Sequence, residues 1–316
     1  MRAVLLALIF TFTALPRNEP YELKYPANFG SRFTIPADNP ITKEGVALGR
    51  MLFYEERLSS NNTRSCASCH KQEFAFTDNQ RFSFGADGTP TNRNSMSLAN
   101  VLWVNKFFWD GRTEGLEQQA IVPMTDPHEM NQSLGTSSKK LTQTKVYPAL
   151  FEKAFGSREI NGDRITKAIS QFERTLISAN SKYDQYLNKE YKLTESEQRG
   201  LVVFDTKGNC AHCHGGPKTF IELFHNNGLD SVQGRFRVPT LRNISVTAPY
   251  MHDGRFKDLS EVLNHYGGHI IESENVSPFL SRLSLTEDEK KDVISFLNTL
   301  TDTEFINNKN FSDPDL

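Results

Sequence analysis

Apolar residues recur at helical spacing in four segments of the chain, residues 42–54, 163–178, 194–204 and 286–300. The second segment follows an aspartate that can cap it and places Ile165, Ile169 and Phe172 on one face. The third begins Thr-Glu-Ser-Glu, a capping-box sequence, and the fourth has the same kind of start. Between these segments, residues 82–94 and 215–243 are rich in glycine, proline and asparagine, and long irregular stretches are uncommon unless they build a site. The pattern predicts a mainly α protein whose loops enclose functional groups.

The N-terminus carries a targeting pattern. Arg2 precedes an apolar stretch from Ala3 to Leu15, which suits the core of a signal peptide and is too short for a stable membrane anchor. We expect residues 1–17 to be a signal peptide, although no A-x-A sequence defines the cleavage site. A buried N-terminal helix and an uncleaved anchor are the alternatives. The expected mature protein is periplasmic, with no stable membrane span.

All four cysteines belong to two copies of Cys-x-x-Cys-His: Cys66, Cys69 and His70 form the first copy, and Cys210, Cys213 and His214 the second. This spacing lets two thiols add to the vinyl groups of one haem while the adjoining imidazole reaches the iron. A zinc site would need four ligands and no histidine directly after the pair. A thioredoxin-like pair would need a strand-to-helix context, and two disulfides are the third alternative. The duplicated motif favours two covalently bound c-type haems, an attachment that goes with export.

Charge adds little to this picture. The chain has 36 basic and 38 acidic residues, a formal net charge of −2, and therefore no nucleic-acid or polyanion signature.

A further repeat accompanies the two motifs. Gly49 to Phe53 leads into the first motif, and Gly200 to Phe204 leads into the second. An Arg-Asn pair follows each, Arg93-Asn94 and Arg242-Asn243, and then Asp-Gly-Arg, which begins 40 residues after His70 and 39 after His214. Matched order and spacing predict two related haem domains packed as a pseudo-symmetric pair. The boundary is expected near residues 188–193, which are polar and precede a fresh helix start.

From about Asn39 to Leu300 the chain resembles the bacterial di-haem cytochrome c peroxidases and their relative MauG, which oxidises residues of a partner protein. The resemblance rests on both haem motifs and on the segments 108–112, 126–130, 224–226, 238–243 and 248–254. It implies two cytochrome c-like domains related by pseudo-two-fold symmetry, with long irregular loops. Residues 18–190 would form the N-terminal peroxidatic domain, and residues 191–316 the C-terminal electron-transfer domain.

The resemblance also bears on the second axial ligand of each iron. Many di-haem peroxidases block the peroxide site with a histidine, and the matching position here is Ala86, so the first haem is expected to be open without reductive activation. At the second haem, the methionine of the peroxidases is replaced by Tyr266, fourteen residues after His252, which is the MauG arrangement. His265, His269 and Met251 are the alternative ligands.

The remaining site residues follow from the same resemblance. Glu129, assisted by Gln119, would transfer the proton that O–O cleavage needs, with His128 beside it, and Trp109 would relay electrons between the haems. A calcium ion would be bound by the Asn94 side chain and the carbonyls of Thr247 and Pro249. Four arginines are candidates for haem propionates: Arg93, Arg112, Arg237 and Arg242.

Three functions stay open at this point. The first is a periplasmic peroxidase that reduces hydrogen peroxide with electrons from a small c-type cytochrome or cupredoxin. The second is a MauG-like enzyme that uses a high-valent state to oxidise a protein or small molecule. MauG's surface tryptophan is Gly208 here, which counts against that enzyme's own substrate. The third is a di-haem electron-transfer cytochrome. The assembly, monomer or homodimer, is not decided by the sequence.

Overall fold

The computed structural model describes residues 18–230, 234–280 and 283–314, and the expected signal peptide lies outside them. The described part is mainly helical, with short strands Lys106–Phe107 (β1) and Thr113–Glu114 (β2) paired antiparallel, and Phe224–His225 (β3) paired in the same way with Phe236–Arg237 (β4). Its helices are Lys43–Phe53 (α1), Cys66–Cys69 (α2), Leu116–Thr125 (α3), Leu134–Thr142 (α4), Tyr147–Phe155 (α5), Gly162–Glu173 (α6), Lys182–Leu187 (α7), Glu195–Asp205 (α8), Ala211–His214 (α9), Leu259–Tyr266 (α10), Glu287–Asn298 (α11) and Thr303–Asn307 (α12). No helix among these residues combines the length and hydropathy needed to cross a bilayer.

Three of the four predicted helices begin at the residue where the predicted segment begins. Thr42 caps α1, and Thr194 and Thr286 cap α8 and α11 through capping boxes with Glu197 and Glu289. These side chains satisfy N–H groups that have no partner within the helix. The helical prediction is confirmed at these positions.

The limits predicted for α6 are wrong at both ends. Asn161, not Asp163, caps the helix, because its Oδ1 accepts a hydrogen bond of 3.0 Å from the N–H of Arg164. The helix ends at Glu173 and not at Ser178. Beyond it the backbone is held by distant side chains: the N–H of Ser178 donates to Asn100 Oδ1 at 2.9 Å. Long-range contacts, which helical periodicity does not report, therefore end this helix.

The helix that leads into each haem motif packs through a glycine. Gly49 of α1 lies against α6, where a Cβ atom would come within 1.9 Å of the Ala168 carbonyl. Gly200 of α8 lies against α11, where a Cβ would come equally close to the Asp292 carbonyl. In both cases side-chain-free backbone allows the two helices to approach closely. The sequence repeat at residues 49–53 and 200–204 therefore corresponds to the same kind of close helix–helix contact in both halves.

One part of the predicted repeat is corrected by the structure. Asn243 adopts a left-handed conformation (φ 62°) before a single 3₁₀ turn, and the residue with the same geometry in the first half is Asn100, not Asn94. Asn100 and Asn243 each lie nine residues before Trp109 and His252. Both also hydrogen-bond to Ser178. The structural equivalent of Asn243 is therefore Asn100, and the match of Asn94 with Asn243 in the sequence repeat is wrong.

The C-terminal segment returns to the N-terminal half. Gln72 Nε2 donates to the carbonyl of Phe305, Arg50 Nε donates to that of Ser312, and the Tyr54 hydroxyl donates to that of Phe311. Phe305 and Phe311 belong to the same apolar cluster as Phe53 and Phe76. Residues after α11 therefore stabilise the first half, although they follow the predicted boundary.

Candidate haem sites

The histidine of each motif is oriented by a backbone carbonyl. His70 Nδ1 lies 2.8 Å from the carbonyl oxygen of Phe76, and His214 Nδ1 lies 3.1 Å from that of Pro239. Because a carbonyl only accepts hydrogen bonds, Nδ1 must carry the proton, and Nε2 keeps its lone pair. Burial lowers the pKa of both imidazoles, that of His214 to about 4, so they are neutral at pH 7. Both have the tautomer and charge of a metal ligand.

The cysteines of the two motifs are unpaired thiols in apolar surroundings. All four thiols are free, so neither pair is a disulfide. Burial raises the pKa of each thiol. The described residues contain no group of three or more His, Cys, Asp or Glu side chains that could hold a metal ion, which argues against zinc. Haem attachment fits these observations.

A cavity of about 1490 Å³, its open mouth included, lies beside the second motif. Cys210, Cys213, His214 and Tyr266 line it together. Its apolar wall comes from α8, α10 and α11, in the side chains of Phe204, Leu263, Val293 and Leu297. A large flat apolar group with one coordinating imidazole suits such a space.

Polar atoms without hydrogen-bond partners at the cavity wall test whether the cavity suits a haem. Buried polar atoms normally have hydrogen-bond partners. Five buried side-chain atoms without one belong to residues that line this cavity: His225 Nε2, Asn227 Oδ1, Arg237 Nε, His252 Nδ1 and Ser277 Oγ. Arg237 is 7% exposed, and burial lowers the pKa of its guanidinium to about 10. An anionic group such as a haem propionate would satisfy this cation, so the residues present fit a haem.

The other propionate candidates lie in different surroundings. Arg242 is fully buried, but its guanidinium pairs with the Asp184 carboxylate and the Pro217 carbonyl. Arg112 is exposed and pairs with Asp110, and Arg93 is exposed beside the ring of Phe236. Arg237 is therefore the predicted arginine that best fits a propionate.

The candidate axial ligands separate into two groups around this cavity. Tyr266 and Met251 line it. Burial raises the pKa of the Tyr266 phenol to about 12, so without a metal cation the phenol stays protonated. His265 is buried with Nε2 3.0 Å from the Asn227 carbonyl oxygen, and His269 is exposed. The geometry favours Tyr266 or Met251 over either histidine.

Glu129 lies close to the first motif. Burial raises the pKa of its carboxyl to about 7, and the charge of Asp126 adds to this shift while Arg112 opposes it. Burial also raises the pKa of the Cys69 thiol to about 11, and the carboxylates of Asp78 and Glu129 lie close enough to add to it. A carboxyl group that titrates near pH 7 can both take up and release a proton at physiological pH.

The loop that carries Ala86 is fastened next to Glu129. The N–H of Gly85 donates to the Thr89 carbonyl at 2.9 Å, and Asn61 Nδ2 donates to the Ala86 carbonyl at 2.7 Å. A Cβ atom on Gly85 would lie 2.1 Å from the His128 carbonyl oxygen, so the loop backbone is pressed against residues 128–129. The residue at the position where the resemblance expects a blocking histidine is thus Ala86, in a loop held against Glu129.

Gln119 and His128, which were expected to assist Glu129, form no side-chain hydrogen bond with its carboxyl group among the described residues. Gln119 lies half-buried on α3, and in the described part of the chain no hydrogen bond joins it to Glu129. The His128 side chain is 60% exposed and lies 3.4 Å from Asp87, with Thr89 also within hydrogen-bonding distance. His128 is therefore a surface residue.

Trp109 and the predicted calcium ligands meet at the second cavity. Trp109 Nε1 donates to the Asn94 carbonyl at 2.8 Å, and the N–H of Asn94 donates to the His252 carbonyl at 2.9 Å. The rings of Trp109 and His252 meet edge to face, 6.4 Å between centroids. Asn94, Thr247 and Pro249 line this cavity with Trp109. The residues expected between the haems are thus brought together.

Comparison with known proteins agrees with this arrangement. A model of the di-haem cytochrome c peroxidase family matches residues 43–192. The methylamine utilization protein MauG of Methylophilus methylotrophus is 34% identical over 283 residues, which cover 84% of each chain. The chain belongs to the di-haem cytochrome c peroxidase family. Family membership makes it an oxidoreductase with two haem cofactors.

Two further relatives represent the two branches of this family, the peroxidases and the MauG-like proteins. Cytochrome c551 peroxidase of Nitrosomonas europaea is 33% identical over 287 residues, covering 84% of this chain and 83% of that protein. The crystal structure of a MauG-like protein associated with microbial copper homeostasis is 35% identical with a TM-score of 0.86, covering 94% of this chain and 100% of that one. The family is therefore clear, and both peroxidases and MauG proteins lie at similar distance.

Sequence reasoning missed Asn227 and Ser277. Neither belongs to a periodic segment or to a motif with a known spacing, and each reaches the cavity from an irregular loop. For Asn227 the available signal was its place directly after the Phe224-His-Asn226 segment.

Proposed function

We propose that the protein is an exported, periplasmic di-haem c-type peroxidase that reduces hydrogen peroxide to water with electrons from a small c-type cytochrome or cupredoxin. In this proposal residues 18–190 carry the peroxide-reactive haem on Cys66 and Cys69. Residues 191–316 carry the electron-transfer haem on Cys210 and Cys213, and a pseudo-two-fold axis relates the two domains.

The observation that carries the proposal is the carboxyl group of Glu129, whose pKa burial raises to about 7 beside the first motif. Haem iron held by His70 would supply the redox chemistry of O–O cleavage. The Glu129 carboxylate takes a proton from the near oxygen of peroxide and delivers it to the far oxygen, which leaves as water. One peroxide consumes two electrons and two protons and yields two water molecules. Gln119 assists by orienting the peroxide.

The remaining residues of the proposal connect the two sites. Trp109 would relay electrons between the two haems, and its Nε1 hydrogen bond to the Asn94 carbonyl holds the indole in place. Tyr266 and His214 would hold the iron of the second haem. A calcium ion bound by the Asn94 side chain and the carbonyls of Thr247 and Pro249 adds hard oxygen coordination between them.

One observation favours a second function, a MauG-like oxidation of a protein or small molecule. Tyr266 lines the second cavity, and an anionic phenolate lowers the potential of the iron it binds. Gly208, two residues before the second motif, has no side chain that could receive an electron hole at the surface. A MauG-like enzyme of this sequence would therefore use a different route or substrate from MauG itself.

Stopped-flow absorbance of the ferric holoprotein mixed with peroxide, with and without a reduced cytochrome c, tests the proposal. The peroxidase predicts a reaction before any reduction and oxidation of two cytochromes per peroxide. A reaction with peroxide but no cytochrome oxidation would contradict the peroxidase and favour the MauG-like function. No reaction in either state would leave only an electron-transfer cytochrome.

A further inference from the structure

Asn227 contacts three of the residues that compete for the second iron. Its Nδ2 donates to Met251 Sδ at 3.4 Å, and its backbone carbonyl lies 3.0 Å from His265 Nε2. Its carboxamide also lies within hydrogen-bonding reach of the Tyr266 hydroxyl. Asn227 lines the same cavity as Tyr266 and Met251, and its Oδ1 is buried without a partner.

Asn227 makes a different kind of contact with each of these possible ligands. The Met251 sulfur accepts a hydrogen bond from Nδ2, which restrains the position of the thioether beside Asn227. His265 directs Nε2 to a carbonyl, so that nitrogen carries a proton and cannot coordinate. The Asn227 carboxamide lies within reach of the Tyr266 hydroxyl and can fix its orientation. The Met251 and His265 side chains are thus held by Asn227, while the Tyr266 hydroxyl is oriented by it.

We propose that Asn227 is a positioning residue that selects Tyr266 as the second axial ligand, by holding Met251 and His265 away from the iron and orienting the phenol. This inference rests on the assignment of Tyr266 proposed above. The sequence offers four side chains within nineteen residues, Met251, His265, Tyr266 and His269, and it favours Tyr266 only through the resemblance.

Two substitutions at Asn227 test the inference in the holoprotein. Asn227→Leu keeps a similar volume and removes every side-chain hydrogen bond, and Asn227→Asp keeps the shape but removes the Nδ2 donor. With Met251 released, we expect the ferric spectrum to gain a thioether-to-iron charge-transfer band and the midpoint potential of the second haem to rise. The double variant Asn227→Leu with Met251→Leu should lose that band. Haem content per chain, measured in parallel, identifies variants that fold.

Tyr266→Phe, measured in parallel, separates the failure of this inference from that of the ligand assignment. A changed spectrum in Tyr266→Phe, with wild-type spectra and potentials in both Asn227 variants, would overturn the role of Asn227 and leave Tyr266 as ligand. An unchanged spectrum in Tyr266→Phe would remove Tyr266 as ligand and the inference with it. Neither outcome bears on peroxide reactivity at the first site, which depends on Glu129 and is assayed separately.

Discussion

The backbone N–H of Ala86 donates a hydrogen bond of 2.6 Å to the backbone carbonyl of Glu129. This contact joins the loop after the first haem motif to the residue proposed to transfer the proton. Asn61 and Arg64 also donate to carbonyls of this loop, so its position is fixed from two sides. With alanine in a fixed loop, the proposed peroxide site is expected to need no loop movement to open.

Ala86→His should restore the blocking ligand that the sequence lacks. We expect the ferric variant to react with peroxide much more slowly, and the reaction to recover after one-electron reduction. Stopped-flow absorbance in both states measures this. Ala86→Leu, which adds bulk but no ligand, is the control. Equal peroxide rates for the histidine variant and wild type would show that residue 86 does not reach the iron.

Glu129→Gln should lower peroxide turnover by about 10²–10⁴-fold, the usual contribution of a positioned acid–base group. The pKa of Glu129 is raised from 4.5 to about 7, so the carboxylate that accepts the proton forms as pH rises through 7. Wild-type turnover should therefore increase between pH 6 and 8, and this dependence should vanish in the variant. Steady-state peroxide consumption at matched haem content measures both. A variant with normal rate and pH profile would exclude Glu129.

Trp109→Phe should slow electron transfer between the haems by on the order of tenfold, about 1.4 kcal/mol in the barrier. Phenylalanine cannot donate to the Asn94 carbonyl and is harder to oxidise than the indole. Equilibration after rapid partial reduction measures the rate. Trp103→Phe is the matched control, since Trp103 is buried among Tyr25, Phe29 and Phe33 and does not line the cavity. Equal slowing in both variants would indicate a packing effect.

Gly200→Ala should destabilise the holoprotein by about 1–3 kcal/mol or more, because overpacking displaces neighbouring backbone. The added Cβ would lie 1.9 Å from the Asp292 carbonyl oxygen. Gly135→Ala is the control: its Cβ meets nothing within 4 Å on α4, and alanine favours the helix by up to about 1 kcal/mol. Denaturant unfolding gives both free energies. Equal stability of the two variants would contradict the close approach of α8 and α11.

The sequence predicted what is encoded locally. Thr194 and Thr286 begin their helices where the capping boxes indicate, because a cap and its partner lie three residues apart. Contacts between distant residues were not predictable in this way. Asn100 accepts a hydrogen bond from Ser178 beyond the end of α6, and Arg242 forms an ion pair with Asp184. Asn227 contacts candidate ligands on other segments. In each case the partners lie more than twenty residues apart in the sequence.

In the candidate site, too, residues of a local motif were predictable and residues defined by distant contacts were not. Cys-x-x-Cys-His predicts both haem positions from the sequence, because attachment and coordination use adjacent residues. Arg237 could be separated from Arg242 only by its surroundings, since one guanidinium has an unpartnered buried nitrogen and the other a buried carboxylate. A sequence pattern does not report this difference.

We propose that each chain holds two covalent haems, one with an open face and one with both faces ligated. Quantified electron paramagnetic resonance of the ferric holoprotein tests this most directly. The account predicts one high-spin and one low-spin haem per chain, in equal amounts. Two low-spin haems, or a single haem per chain, would contradict it.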